Sequence, residues 1–403
     1  MKKQYLIVLI IAGLLTIFNA CQKGTAYKAL IVTGQNNHSW KTSSPILQQL
    51  LEQTGLFTAD IAKSPEKGGN MDSFNPDFSK YSVVVIDYNG DSWSEKTKTA
   101  FVDYVNNGGG VVIYHAGDNT FPEWKEFNAM IGLGGWGNRN EKDGPYMYFR
   151  HDSLIVDNSA GIGGAHGKRH EFEIRARNTE HPVIKGLPQR WIHGADELYA
   201  RLRGPGKNME ILATAFSDTA KGGTGRDEPI LMTLSYGKGR IFHTTLGHAD
   251  DDGGPALECV GFITTFQRGA EWAASGKVTQ KIPYDFPTMT GSSLRPDYKE
   301  LTLEGDLAKI AAYDITKSTK YFSDLQSRIR YEAKTPAEYQ AFEKQIIKVL
   351  ESADATDDGK KLLIREISWM GSDLSIPVLQ ELVKKSQLKD AAEFALARLQ
   401  PVK

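Results

Sequence analysis

Apolar residues fall in short unbroken runs over the first two thirds of the chain and in helically spaced stripes over the last third. The segments KALIVTG (28–34), YSVVVIDY (81–88) and VVIY (111–114) are apolar on successive residues, the pattern of strands buried on both faces of a parallel sheet. Thr58–Ala62 reads as a further strand between the first two. Leu47, Leu50 and Leu51 mark an amphipathic helix after the first strand. Ser94–Asn106 predicts another: Ser94 is a fitting N-cap, Glu95 suits the helix dipole, and Gly108 stops the helix. Its buried stripe is Phe101, Val102 and Val105. Strand, helix, strand, strand, helix, strand at short connections predicts βαβ units and an α/β domain with flanking helices.

After Trp124 the pattern loosens. Gly132–Gly144 is rich in glycine and charge and predicts a long surface loop. HEFEIRA (170–176) alternates like an exposed strand, Trp191–Leu202 leads into another strand, and Glu210–Phe216 into one more. Pro229–Leu234 and Gly239–Leu246 predict a hairpin, and Ala256–Ala274 one long helix that closes the domain. From Gly276 to about Asp297 the composition shifts to Pro, Ser, Gly and Thr, a linker or wrapping segment. Beyond it lie four helical stripes: Tyr339, Phe342, Ile346 and Leu350; Leu363, Ile367 and Met370; Ile376, Leu379 and Val383; Ala391, Ala395 and Leu399. These predict a small all-α domain over 298–403, read either as a worn HEAT-type repeat or as a plain bundle.

The 48 basic and 49 acidic residues nearly cancel, so nothing points to nucleic acid or to an electrostatic hold on membranes. Residues 1–20 have the form of a targeting segment: Met1-Lys2-Lys3 is basic, Tyr5–Phe18 is apolar, and Asn19-Ala20-Cys21 is a small-residue exit. It resembles a bacterial lipoprotein signal, in which Cys21 becomes the acylated first residue of the mature chain. That predicts a cell-envelope protein on a lipid anchor, at the periplasmic or the cell-surface face, with a plain secretory signal as the alternative. Cys259, the other cysteine, then has no disulfide partner and reads as a small buried hydrophobe.

Candidate chemistry gathers at strand ends. Asn37 and His38 follow the first strand, His115, Asp118 and Asn119 the fourth, and His248 and Asp250 the hairpin. His193, Asp196 and Glu197 precede a later strand. Ligands in open α/β sheets bind beyond the carboxyl ends of the strands. Imidazole and carboxylate suit zinc and similar divalent ions, and they also serve as general acid and base. For the fourth-strand group the alternative is turn chemistry alone. His243, inside a strand, and His181, before Pro182, read as structural, and His151, His166 and His170 have no partner spacing. Trp40, Trp124 and Trp136 lie on loops near the same edge, where flat rings can stack on sugars. The chain has no Gly-x-Gly-x-x-Gly after its first strand, no Walker loop and no Gly-x-Ser-x-Gly elbow, which argues against a nucleotide cofactor.

The segments ALIVTG–NNHSW, GGGVVIYHAG, HPVIKGLP, DELYARL and GKGRIFHTTLGH, in that order, resemble the ThuA-like (trehalose utilisation) family over about Lys28–Ser275. The resemblance implies a flavodoxin-like fold of the class I glutamine amidotransferase type, in a domain taken here as 21–275 followed by a 276–297 linker. Where amidotransferases carry a nucleophilic cysteine, this chain reads Tyr114-His115-Ala116-Gly117, so thiol chemistry of that kind is excluded. The resemblance also implies disaccharide catabolism beside dehydrogenases that make 3-keto sugars, and it singles out His38, His115, Asp196, Glu197 and His248. A related member looks to bind a metal ion. The expectation is therefore a lyase, hydrolase or isomerase of glycosides or keto-glycosides. His38, His115 and His248 are its candidate metal ligands, and His115, Asp118, Asp196 and Glu197 its candidate catalytic groups. Asn37, Trp40, Asn119, Trp124 and Asp250 are expected to contact the sugar. The alternatives are a carbohydrate-binding lipoprotein and an assembly protein that docks a partner through its C-terminal helices.

Overall fold

Continuous apolar strands can be buried only if helices cover both faces of their sheet, and this is what the chain builds. The computed structural model describes residues 27–298 and 302–400. The signal-like segment and Cys21 lie outside them. Chain order begins β1 (Tyr27–Thr33), α1 (Trp40–Gln53), β2 (Phe57–Lys63), β3 (Val83–Ile86), α2 (Glu95–Asn106), β4 (Gly110–Tyr114) and α3 (Lys125–Ile131). A β-rich stretch follows: β5 (Tyr146–Arg150), β6 (Ser153–Asp157), β7 (Ala165–His166), β8 (His170–Ala176), β9 (Arg190–Asp196) and β10 (Tyr199–Ala200). Then come β11 (Met209–Phe216), β12 (Asp227–Tyr236), β13 (Gly239–Thr244), α4 (Pro255–Glu258) and α5 (Val260–Ser275).

The main sheet runs β2-β1-β3-β4-β13-β12-β11-β8-β9. Its first five strands are parallel, with the doubly wound flavodoxin-like order, β13 taking the fifth place. The rest are antiparallel. One apolar layer joins α1 and α5 to one face, through Leu47, Leu50, Phe262 and Phe266. The other holds α2 and α3 and an aromatic cluster of Phe78, Trp93, Phe101, Phe121, Trp124 and Phe127. Ser94 caps α2 as its position predicts.

The alternating directions point β9 the same way as β13, so both strands end at one rim. On a flat sheet four strand spacings of about 4.8 Å would hold them roughly 19 Å apart. Instead the Asp196 carboxylate at the end of β9 accepts a hydrogen bond from the Gly247 amide beyond β13, at 2.8 Å. The antiparallel half therefore curls back over α4 and α5. Register shifts in the β11–β12 and β8–β9 pairs supply the local twist.

Several expectations are corrected here. HEFEIRA is a half-buried inner strand, with Phe172, Ile174 and Ala176 facing the core. Residues 190–196 are themselves a strand rather than the approach to one. The helix expected over 256–274 is broken at Cys259, whose extended backbone bridges to Leu294 and whose Sγ accepts from the Gly194 amide. The 132–144 loop is tucked in, because the buried Arg139 guanidinium binds the carbonyls of Asn119, Thr120 and Gly135 and the Asn128 side chain.

Past the connector the chain forms α6 (Leu303–Ala311), α7 (Lys320–Glu332), α8 (Pro336–Glu351), α9 (Asp357–Met370), α10 (Ile376–Val383) and α11 (Lys389–Leu399). They enclose their own apolar core around Leu325, Ile346, Leu363, Ile367 and Leu379. Arg328 of α7 lies 4.2 Å from the ring of Tyr284 in the connector.

Glu228, at the start of β12, is buried and accepts from the Thr224 hydroxyl at 2.7 Å. Burial pushes its carboxyl from 4.5 up to about 6, so folding favours the protonated form. That contribution is complete below 4.5 and is lost as pH rises through 6. Glu228→Gln should accordingly stabilise the protein by about 1–2 kcal/mol at pH 8 and by nothing measurable at pH 4, in urea midpoints taken at both values.

Candidate functional site

Four carboxyl-terminal strand ends meet at one rim. β1 delivers Asn36-Asn37-His38, β4 delivers His115, β9 delivers Asp196 and Glu197, and β13 delivers Gly247 and His248. His115 sits where the strand turns into a short 3-10 helix, with φ +43°, a left-handed conformation that a non-glycine residue avoids. The turn is held from both sides. His115 Nδ1 donates to the Thr245 carbonyl at 2.7 Å, and Gly117 packs so closely that a Cβ there would lie 2.6 Å from the Ile86 carbonyl oxygen.

The other nitrogen of His115, Nε2, is buried, has no hydrogen-bond partner, and lies 3.8 Å from Glu197 Oε2. His38 Nε2 lies 3.6 Å from the same oxygen, and His248 Nδ1 3.2 Å. One ligating atom from each of these four residues lies within 4.8 Å of the others. A tetrahedral zinc with bonds of about 2.1 Å has ligand atoms about 3.4 Å apart, so the donor set and its spacing fit a divalent ion. Each imidazole is also oriented from behind. The Thr245 carbonyl does this for His115, Asp250 Oδ1 for His248 Nε2 at 3.3 Å, and Asn36 Oδ1 for His38 Nδ1 at 3.4 Å. Asn36 is in turn fixed by the buried Asp87, which also accepts from Ser43 and Ser44. Oxygen acceptors behind ligating histidines set the tautomer and make the facing nitrogen a better donor.

The electrostatics suit that role at His115 and Glu197, whereas at His248 they favour the protonated ring, whose proton a metal ion would have to displace. Burial, helped by the neighbouring His38, pushes His115 down to about 3, so its ring is neutral at pH 7. Burial of the Glu197 carboxylate is outweighed by His248 and His38, which hold it well below its usual range. For His248 burial opposes the charge, but Glu197 prevails and raises it.

Asp196 does not line the cleft. It is fully buried and anchors the rim, accepting from His193 Nε2 at 2.9 Å and from the amides of Glu197, Gly247 and His248. Asp118 is likewise buried beneath the turn, 3.4 Å from His243 Nε2, and has no face on the cleft. Trp124 belongs to the aromatic core, 5.5 Å from Phe127, not to the site. Trp40 faces an adjoining groove, and Asp250 joins His248 to Arg169 at the edge. Asn37 and Asn119 do line the cleft, a cavity of about 460 Å³.

Trp136, one of the three loop tryptophans expected near this edge, does line the cleft, leaning on Tyr199 at 4.7 Å. Sequence reasoning missed two other walls: Tyr199 stacks on His115 at 4.4 Å, and His166 Nε2 stands 3.9 Å from Glu197 Oε1. β7 and β10 pair to bring His166 beside Tyr199, a contact that no local pattern announces. A larger hollow of about 790 Å³ at the opposite rim, near Phe78 and Tyr104, is lined by no histidine.

The sequence pattern described as "ThuA: Trehalose utilisation" matches residues 28–273. The chain belongs to the ThuA family. A crystal structure of a ThuA-like protein from Parabacteroides merdae shares 54% identity over 69% of this chain and 100% of its own length, with a TM-score of 0.67. A ThuA-like protein from Bacteroides uniformis shares 18% identity over 63% of this chain and 93% of its own, with a TM-score of 0.42. A search of curated proteins finds no match. In this ThuA-family protein the turn after β4 carries His115, and Cys259 is buried away from the cleft.

Proposed function

We propose that this ThuA-family protein is an exported, metal-dependent enzyme of disaccharide or keto-glycoside breakdown, anchored in the cell envelope through Cys21. One observation carries the reading: three histidines, each steered by an oxygen acceptor behind it, turn their free nitrogens toward one Glu197 oxygen. A bound ion such as zinc would supply a positive charge that polarises a substrate carbonyl or hydroxyl. His38, His115, His248 and Glu197 would hold it. Glu197 Oε1, turned toward His166, would accept a proton or a hydrogen bond from a sugar hydroxyl. Asn37, Asn119 and Tyr199 offer hydrogen-bond partners to a sugar, and Trp136 a flat face. A keto group acidifies the neighbouring C–H, so one base beside a polarising charge suffices for elimination, hydration or isomerisation.

The test is direct. Protein purified with zinc and freed of excess should hold one ion per chain and convert a 3-keto-disaccharide, followed by proton NMR. Chelation and His115→Ala should each abolish both properties. Sugar binding that survives chelation unchanged, with no turnover, would show a carbohydrate-binding lipoprotein instead. An assembly role has its own support in Trp369 and Phe394, which stand 69% and 57% exposed on the C-terminal helices.

A further inference from the structure

The imidazole-floored cleft is one of two adjoining compartments. Asn37 and Asn89 line both it and a second groove of about 620 Å³ over the ends of β1 and β2. The Asn89 amide donates to Asn37 Oδ1 at 2.7 Å, so the two side chains form a polar ridge between the compartments. The groove has a half-buried aromatic wall, Trp40, and three lysines, Lys41, Lys63 and Lys67. The ammonium groups of Lys63 and Lys41 rest 5.2 and 5.7 Å from the indole centroid. None of the three lysines is in an ion pair among the described residues. The carboxylates facing them are Glu66 and Asp91, and Asp91 is already engaged by the Gly68 amide.

An indole face beside a row of asparagine amides is a stacking platform for a sugar ring with its hydroxyls bound at the edge. Ammonium groups resting on that face gain little in water, so they are free to move to a better partner. We infer that the substrate spans both compartments and that its unit remote from the imidazoles is an acidic sugar, bearing a carboxylate or sulfate. That ring stacks on Trp40, and its anionic group draws Lys41 and Lys63 off the indole. The inference rests on the sugar-processing reading above and narrows its substrate to acidic disaccharides or longer chains.

Calorimetric titration of the zinc-loaded protein tests it with three probes: a glucuronic acid–glucose disaccharide, the neutral disaccharide of the same linkage, and glucose. The acidic disaccharide should bind at least ten-fold more tightly than the neutral one at low salt, and the advantage should shrink as salt rises. The double variant Lys41→Gln, Lys63→Gln should erase that advantage without changing zinc content. Trp40→Ala should weaken both disaccharides about ten-fold or more and leave glucose unaffected. Trp40→Phe, which keeps an aromatic face, should restore most of the loss, which separates a stacking role from damage to α1. Equal binding of acidic and neutral disaccharides, or indifference to both Trp40 variants, overturns the acidic-sugar inference alone. Absence of any sugar binding by the wild type overturns this inference and the enzyme reading together.

Discussion

Asp196→Ala should destabilise the protein by about 3–5 kcal/mol and cost it most of its metal affinity, although Asp196 touches neither cleft nor substrate. Its carboxylate is wholly buried and saturated with donors, Oδ2 by His193 Nε2 and the Gly247 amide, Oδ1 by the amides of Glu197 and His248. Burial alone would push the carboxyl up, but His193 reverses this and holds it below its ordinary value. Burial opposes a charge on His193, but Cys259 and Asp196 raise its pKa to about 10. Truncation therefore strands a buried imidazolium and leaves backbone amides without an acceptor, each a cost of about 1–3 kcal/mol. The same carboxylate ties the end of β9 to the loop after β13, so two of the four candidate ligands lose their common anchor. Asp196→Asn keeps the volume but turns an amide toward two donors, and should fall between wild type and Ala. Urea unfolding together with zinc content checks both variants. A loss below about 1 kcal/mol in Asp196→Ala, with zinc content intact, would refute the anchoring role.

The same anchor explains how far the sequence could be read. The parallel half was legible because burial on both faces leaves a local mark, an unbroken apolar run, and the residue just past such a run lies at the rim. His38, His115 and His248 could be named together on that basis. Glu197 does precede a strand, the short β10, but it also follows β9, and it reaches the cluster only because the antiparallel half curls. Curling depends on strand order and bulges, which pair residues far apart in the chain. Asp118 and Trp124 failed for a different reason. Nearness to His115 along the chain says nothing about direction, and the 3-10 turn sends Asp118 inward to His243 while Trp124 packs against Phe127. His166 has no partner at regular spacing in the sequence, because its partner is a strand more than thirty residues on.

Zinc supplied at about a thousand times its dissociation constant should stabilise the folded protein by about 4 kcal/mol, because the unfolded chain offers no assembled set of ligands. For a domain of this size that corresponds to a rise in Tm of roughly 8–16 °C, reversed by chelator. The most informative loss is at His115. Its ring is the most enclosed of the three and is already neutral at pH 7, so no proton has to leave before its nitrogen can bind. Its backbone is the complication: at φ +43° most replacements would add their own strain, and a lower Tm could then reflect the turn rather than the missing ligand. Asparagine tolerates the left-handed region well, and its shorter side chain cannot bring a nitrogen to the Nε2 position. His115→Asn should thus unfold near the wild-type temperature without metal and show almost none of the zinc-induced rise. If the full rise persists in His115→Asn, the ion binds elsewhere and the four-residue cluster is not its site.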